Sequence, residues 1–86
     1  MSYKIVISKA VQKQINALPG DIYDRVIEKL QHLLEEPRPS SVVKLKGTDN
    51  EYRIRVGDYR VRYEIDDQNK TIQLLQCKHR REVYRE

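Results

Sequence analysis

The sequence predicts an α+β fold: two helices from the first half of the chain packed on one face of a mostly antiparallel sheet, in the order β-α-α-β-β-β-β. Three observations carry that prediction. Helical periodicity of apolar residues is confined to positions 9–35. Strict two-residue alternation runs through positions 51–65 and breaks only at Gly57-Asp58. A further apolar run, Thr71 to Cys77, reads as a central strand.

Taken in order, Tyr3-Lys4-Ile5-Val6-Ile7 is short and β-branched, and forms the first strand. Ser8 caps a helix from Lys9 to about Leu18, with Val11, Ile15 and Leu18 as its narrow apolar stripe. Pro19-Gly20 breaks the chain, and Asp21 is placed to cap a second helix running to about Glu35. Ile22, Val26, Ile27, Leu30, Leu33 and Leu34 repeat at three and four along it, and His32 falls off that stripe as a surface imidazole. Pro37 and Pro39 end the helix. Ser41 to Lys46 is the next strand, and Gly47-Thr48-Asp49-Asn50 turns the chain into the alternating stretch. Asp66-Asp67-Gln68-Asn69 is the turn before the last strand. Cys77 ends that strand as a buried small side chain.

The alternating stretch is a hairpin. With Gly57 and Asp58 as a two-residue turn, Val56 faces Tyr59, Ile54 faces Val61 and Tyr52 faces Tyr63 on one side of the sheet. The helices cover that side, which also carries Ile65. The other side sets Arg55 opposite Arg60 and Arg53 opposite Arg62. Like charges directly opposite each other destabilise a sheet, so this arrangement needs a reason. One reading is a solvated charge ladder, with Glu51 and Glu64 diagonal to Arg62 and Arg53. The other is that the guanidinium forks await an anion, foremost the phosphates of RNA.

Composition narrows the classes. Eighty-six residues make one domain, spanning 1–86, with an economical core. Seventeen basic residues against thirteen acidic give a net +4, which fits a polyanionic partner. From Lys44 onward there are eleven basic and eight acidic residues, so most of the excess lies in the second half. A single Cys excludes an intrachain disulfide and suits a reducing, cytoplasmic setting. No apolar run reaches the length of a membrane span, no signal-peptide pattern opens the chain, and no membrane association is expected. Two separated histidines and one Cys do not build a familiar zinc site, and no Gly-rich phosphate loop is present, so no metal or cofactor is expected. The last ten residues hold four basic residues, His79 and Tyr84. This segment is either an exposed charged end or one that brings His79, Arg80 and Tyr84 beside the arginine face.

Several motifs then combine. The helix pair ends at Glu36-Pro37-Arg38, and Lys44-Leu45-Lys46-Gly47 and Tyr52-Arg53-Ile54-Arg55 follow. Gly57-Asp58-Tyr59-Arg60-Val61-Arg62-Tyr63 and His79-Arg80-Arg81-Glu82-Val83-Tyr84 complete the set. In this order and length the chain resembles, nearly throughout, the RelE toxins of the RelE/ParE superfamily. The resemblance implies a ribosome-dependent endoribonuclease that cuts messenger RNA in the decoding site. It also implies a cognate antitoxin that neutralises the toxin in a hetero-oligomeric complex. By the same match Arg53 and Arg55 stand where two basic residues contact the reacting phosphate, and Arg60 matches an arginine on that phosphate. Arg80 matches a tail arginine near the leaving oxygen, and Tyr84 matches a tyrosine serving as base or base-stacker. Both strand positions are arginine here, where lysine is often found. The tail is shorter than in some members, so Arg80 could trade places with His79 or Lys78.

Cleavage through the ribose 2′-OH needs a base, charge stabilisation on the phosphorane and a proton for the departing 5′-oxygen. Arg53, Arg55 and Arg60 suit the stabilising role, the largest single contribution in most such sites. The base is Tyr84 or His79; the phenol has a reference pKa of about 10 that nearby cations lower, and imidazole is the better matched for proton transfer. Lys44, Lys46, Arg62, Lys78 and Arg81 are read as holding the RNA backbone. Two rivals remain: a ParE-like gyrase poison without nuclease activity, and a non-catalytic basic RNA-binding module.

Overall fold

A computed structural model of the chain describes residues 3–40, 42–47 and 50–83, with residue 83 described by its backbone alone. The elements follow in the order β1 (Lys4–Ile7), α1 (Lys9–Asn16), α2 (Gly20–Glu35), β2 (Val43–Lys44), β3 (Glu51–Val56), β4 (Tyr59–Asp66), β5 (Thr71–His79) and α3 (Arg80–Val83). The strands form one sheet in the order β1-β5-β4-β3-β2. Only the β1–β5 pairing is parallel; the other three are antiparallel. The α+β architecture expected from the sequence is the observed one.

Local chemistry sets the helix limits. Ser8 caps α1, its hydroxyl accepting from the Val11 N–H at 3.3 Å. The helix stops at Asn16, two residues before the expected end, with Ala17 as its C-cap. Pro19 takes the N-cap position of α2 without a side-chain hydrogen bond, so Asp21 lies inside the first turn rather than capping it. There its carboxylate still favours the positive end of the helix dipole. The stripe Val26, Leu30 and Leu33 is buried, Ile22 is partly so, and His32 is exposed. β2 is only two residues long where six were expected, and Ser41 lies outside the described residues, as do Thr48 and Asp49 of the following turn.

The hairpin register is the expected one: Val56 opposite Tyr59, Ile54 opposite Val61, Tyr52 opposite Tyr63. Its apolar side, continued by Ile65, Ile72, Leu74 and Cys77, is buried against Val11, Ile15, Val26, Leu30 and Leu33. Each such large side chain contributes roughly 1.5–3 kcal/mol of transfer free energy. Tyr63 is fully buried within this layer, and its hydroxyl donates to the Pro37 carbonyl at 2.8 Å. Burial raises that phenol above its ordinary value.

Two features of β5 were not anticipated. The strand continues to His79, two residues past Cys77. Its register against β4 also shifts, since Arg62 pairs with Gln76 but Tyr63 with Leu74, leaving Leu75 as the extra residue of a bulge. β1 ends opposite Leu74, so among the described residues no strand neighbours the outer edge of β5 beyond that point. The Cys77 N–H on that edge donates to Gln14 Oε1 of α1 at 2.7 Å. A helix side chain thus substitutes for a missing strand.

Candidate functional site

Residues paired across strands share a face. The face away from the helices can therefore be read in rows. At the hairpin tip, Arg55 stands beside Arg60, and Arg60 beside Lys78. The next row holds Val43, Arg53, Arg62 and Gln76. Then comes Glu51, Glu64, Gln73 and Val6. The face is polarised along its strands, with cations at the tip and carboxylates beyond them. Arg62 joins the two zones: its Nε lies 3.7 Å from Glu51 Oε1, too far for a hydrogen bond, and is buried without a partner among the described residues.

The turn itself is where the guanidinium groups gather. Arg55 Nε and Arg60 Nη1 both donate to the Gly57 carbonyl at 3.3 Å, and Arg60 Nη1 also reaches the Tyr59 carbonyl at 3.1 Å. The Arg80 N–H donates to the Asp58 carbonyl at 2.7 Å, and Arg80 Nε stands 3.9 Å from Asp58 Oδ1. Among the described residues no carboxylate lies within 4 Å of Arg53, Arg55, Arg60 or Lys78. Two cations sharing one carbonyl oxygen repel each other at a separation that salt screens little. An anion seated between them would remove that repulsion.

Arg60 departs from the open position expected for it. It is only 9% exposed, with Nη1 fixed by two carbonyls. Its Nε and Nη2 have no partner among the described residues and reach the surface. A held donor of this kind needs no reorganisation to meet a developing negative charge. Arg55, by contrast, is exposed.

The tail divides by strand alternation. Because β5 runs to His79 and carries a bulge at Leu75, Lys78 falls on the arginine face and His79 on the opposite one, paired with Tyr59. The two rings meet edge to face at 5.2 Å, and His79 Nδ1 accepts from the Arg81 N–H at 3.2 Å. The expected neighbourhood of His79 and the arginines is thus not formed: a β-sheet lies between them. A cleft of about 370 Å³ beside His79 is lined by Tyr59, Arg81 and Glu82. Lys44 pairs with Tyr52, which turns it to the helix side of the edge strand, and Lys46 lies past the strand in the turn with Gly47; both are exposed. Tyr84 lies outside the described residues.

Reasoning from sequence passed over Arg25, which reads as part of the solvated face of α2. A Cβ built on Gly57 would lie 3.5 Å from Arg25 Nη1, so this head group also comes to the turn. No periodic pattern signals that contact, which joins residues distant in the chain. Burial pushes the Cys77 thiol up to about 11, away from thiolate chemistry. No three of the described His, Cys, Asp and Glu residues are grouped to hold a metal ion, and no described helix is long and apolar enough to cross a membrane.

Comparison with known proteins adds a family. Residues 5–84 match a family described as ParE toxin of type II toxin-antitoxin system, parDE. A relative named Toxin RelE3, from Methanocaldococcus jannaschii, is 34% identical over 89 residues, covering 94% of each chain. Among solved structures, the archaeal RelE-RelB complex from Pyrococcus horikoshii OT3 matches with a TM-score of 0.83 and 40% identity, over 93% of this chain and 97% of that one. The isolated E. coli RelE toxin matches with a TM-score of 0.82 and 25% identity, over 96% of this chain and 92% of that one.

Proposed function

This chain belongs to the ParE toxin family of type II toxin–antitoxin systems and is a RelE-like toxin, and from that premise we propose that it is an endoribonuclease that cuts messenger RNA in the decoding site of the ribosome. One observation carries the reading: Arg55, Arg60 and Arg80 converge on the Gly57–Asp58 turn, and neither Arg55 nor Arg60 has a carboxylate partner among the described residues. A cluster of held, uncompensated guanidinium groups suits the extra charge that a phosphate gains in its transition state.

In this mechanism the ribose 2′-oxygen attacks the adjacent phosphorus and the bond to the 5′-oxygen breaks. The products are a 2′,3′-cyclic phosphate and a 5′-hydroxyl. Arg55 and Arg60 stabilise the phosphorane, with Arg53 one row behind them. Arg80 stabilises the leaving oxygen, which takes its proton from water, since an arginine does not readily give up its own. Tyr84 takes the 2′-OH proton. His79 is the poorer candidate because it is turned to the other face and its Nδ1 is already engaged. Lys78 and Arg62 hold the flanking backbone from the same face, and Arg81 approaches from the side of His79. Lys44 reaches RNA or ribosome from the helix side of the edge strand, and Lys46 from the turn that follows it.

Such a site lacks a histidine pair and depends on something else to align the RNA for in-line attack. Orientation of that kind supplies roughly 7–11 kcal/mol, and the ribosome is the clamp. The partner off the ribosome is a cognate antitoxin, as the Pyrococcus horikoshii protein is in complex with RelB. Both belong to the cytoplasm. The test compares purified protein on free RNA and on the same message carried by translating ribosomes. Strong codon-level cutting only in the second case is expected, with 5′-hydroxyl ends; efficient cutting of free RNA would overturn the ribosome dependence. A second reading, gyrase poisoning, draws on the parDE description of the matched family. It predicts DNA-damage signalling and no new message ends on expression in a bacterial host.

A further inference from the structure

The Gly57–Asp58 turn is met from one more direction than the proposed chemistry uses. Arg25 sits in the second turn of α2, with Asp21 four residues before it and Glu28 three residues after it. Those are the usual helix-surface partners of an arginine. Neither lies within 4 Å of it, and Arg25 makes no hydrogen bond or ion pair among the described residues. Its Nη1 instead lies over the turn, 3.5 Å from where a Gly57 Cβ would be, beside Ile22 Cδ1 at 3.1 Å from the same point. The stem can pack on Ile22 while the head stays in water, which accounts for the direction of the side chain. It does not account for the head group forgoing both carboxylates of its own helix to approach a residue whose carbonyl already collects Arg55 and Arg60.

The one carboxylate of the turn, Asp58, faces Arg80 and is not within 4 Å of Arg25, so an exposed guanidinium brought toward this turn gains little without a further anion. We propose that Arg25 is a substrate-binding residue, holding a phosphate of the RNA next to the one that reacts. The arginine cluster is thereby extended around the hairpin tip from the sheet face onto α2. The proposal rests on the endoribonuclease reading above. Arg25 touches a neighbouring phosphate rather than the bond that breaks, so it acts on binding and not on the chemical step.

The experiment measures cleavage of translated message on programmed ribosomes for the parent, Arg25→Gln and Arg25→Lys at several monovalent salt concentrations. Arg25→Gln should raise KM about tenfold with kcat within about twofold, and should flatten the slope of log KM against log salt by about one, as loss of one phosphate contact does. Arg25→Lys should recover most of the KM. Thermal unfolding of each variant should match the parent, since the residue is exposed. If the parent cleaves and Arg25→Gln keeps both its KM and its salt slope, the role of Arg25 is overturned while the nuclease reading stands. A fall in kcat with KM unchanged overturns it equally. If the parent cleaves nothing, the nuclease reading fails and this inference fails with it.

Discussion

At Gly57 the backbone has φ +58°, in the left-handed region where a side chain costs on the order of 1–2 kcal/mol. The neighbourhood adds to that cost, because a Cβ there would stand 3.1 Å from Ile22 Cδ1, and the side chain or the turn must give by a few tenths of an ångström. The carbonyl of this residue is also the shared acceptor of Arg55 and Arg60, so a shift of the turn moves both. Gly47 supplies the control, with φ +80° and nothing within 4 Å of its would-be Cβ. Gly47→Ala should lose about 1 kcal/mol in urea unfolding, for backbone strain alone. Gly57→Ala should lose about 1 kcal/mol more, from crowding, and should also lower message cleavage beyond what its lost stability explains. Equal losses from the two substitutions would mean that α2 does not press on the turn.

Along β5 a single bulged residue decides which side chains reach the arginines. Without it Ile72, Leu74, Gln76 and Lys78 would share a face; with Leu75 as the extra residue, Cys77 and His79 turn inward and Lys78 turns outward. This was not legible in the sequence, because Leu74-Leu75 presents two apolar residues in succession and alternation is lost where the parity changes. The hairpin was legible for the opposite reason: six paired positions alternate on both sides of one Gly-Asp break, and only one register buries all the apolar ones. The strand residues Arg53, Arg55 and Arg60 therefore fall on the face that the pattern assigns them, whereas Lys78, read as tail, has no face assigned to it, and His79, expected beside the arginines, lies on the other side of the sheet. The contact between Arg25 and the turn left no trace in either period. The edge opposite the bulge carries its own prediction. Gln14→Ala leaves the Cys77 N–H without its acceptor in a part-buried position, which should cost about 1–3 kcal/mol. Urea unfolding would show the loss, and amide exchange at Cys77 should accelerate more than at Ile72, which faces β1. Unchanged exchange at Cys77 would mean that water serves this edge as well as Gln14 does.

Among the described residues the charges are tightly paired at one end of the sheet, whereas at the other Arg53, Arg55, Arg60 and Lys78 have no carboxylate within 4 Å. Far from the arginine tip, Arg38 grips Asp67 with both ends of its fork, Nη1 to Oδ1 at 3.2 Å and Nη2 to Oδ2 at 2.7 Å, and donates from Nε to the Tyr52 hydroxyl at 2.9 Å. The Tyr3 hydroxyl donates to Asp67 Oδ1 at 2.6 Å. This cluster ties the start of the chain, the loop after α2, β3 and the β4–β5 turn together, so that the tip can carry repelling cations on an anchored frame. The Arg38 fork, and then the Tyr3 hydroxyl, hold the Asp67 carboxyl at about 2. An unfolded Asp titrates near ~3.9, so the folded value is depressed, and the stabilisation is complete above about pH 5 and lost as pH falls towards 2. Asp66 is also held low, by Asn69, and persists in a variant at position 67. The melting-temperature gap between the parent and Asp67→Asn isolates the clamp. It should stay constant from pH 8 to about 5 and close between about 4 and 2, as Asp67 takes up its proton. Both partners are well exposed, so the gap should be modest and should shrink in salt. A gap that is as wide at pH 2 as at pH 7 would mean that packing around Arg38, rather than the charge on Asp67, anchors this end of the sheet.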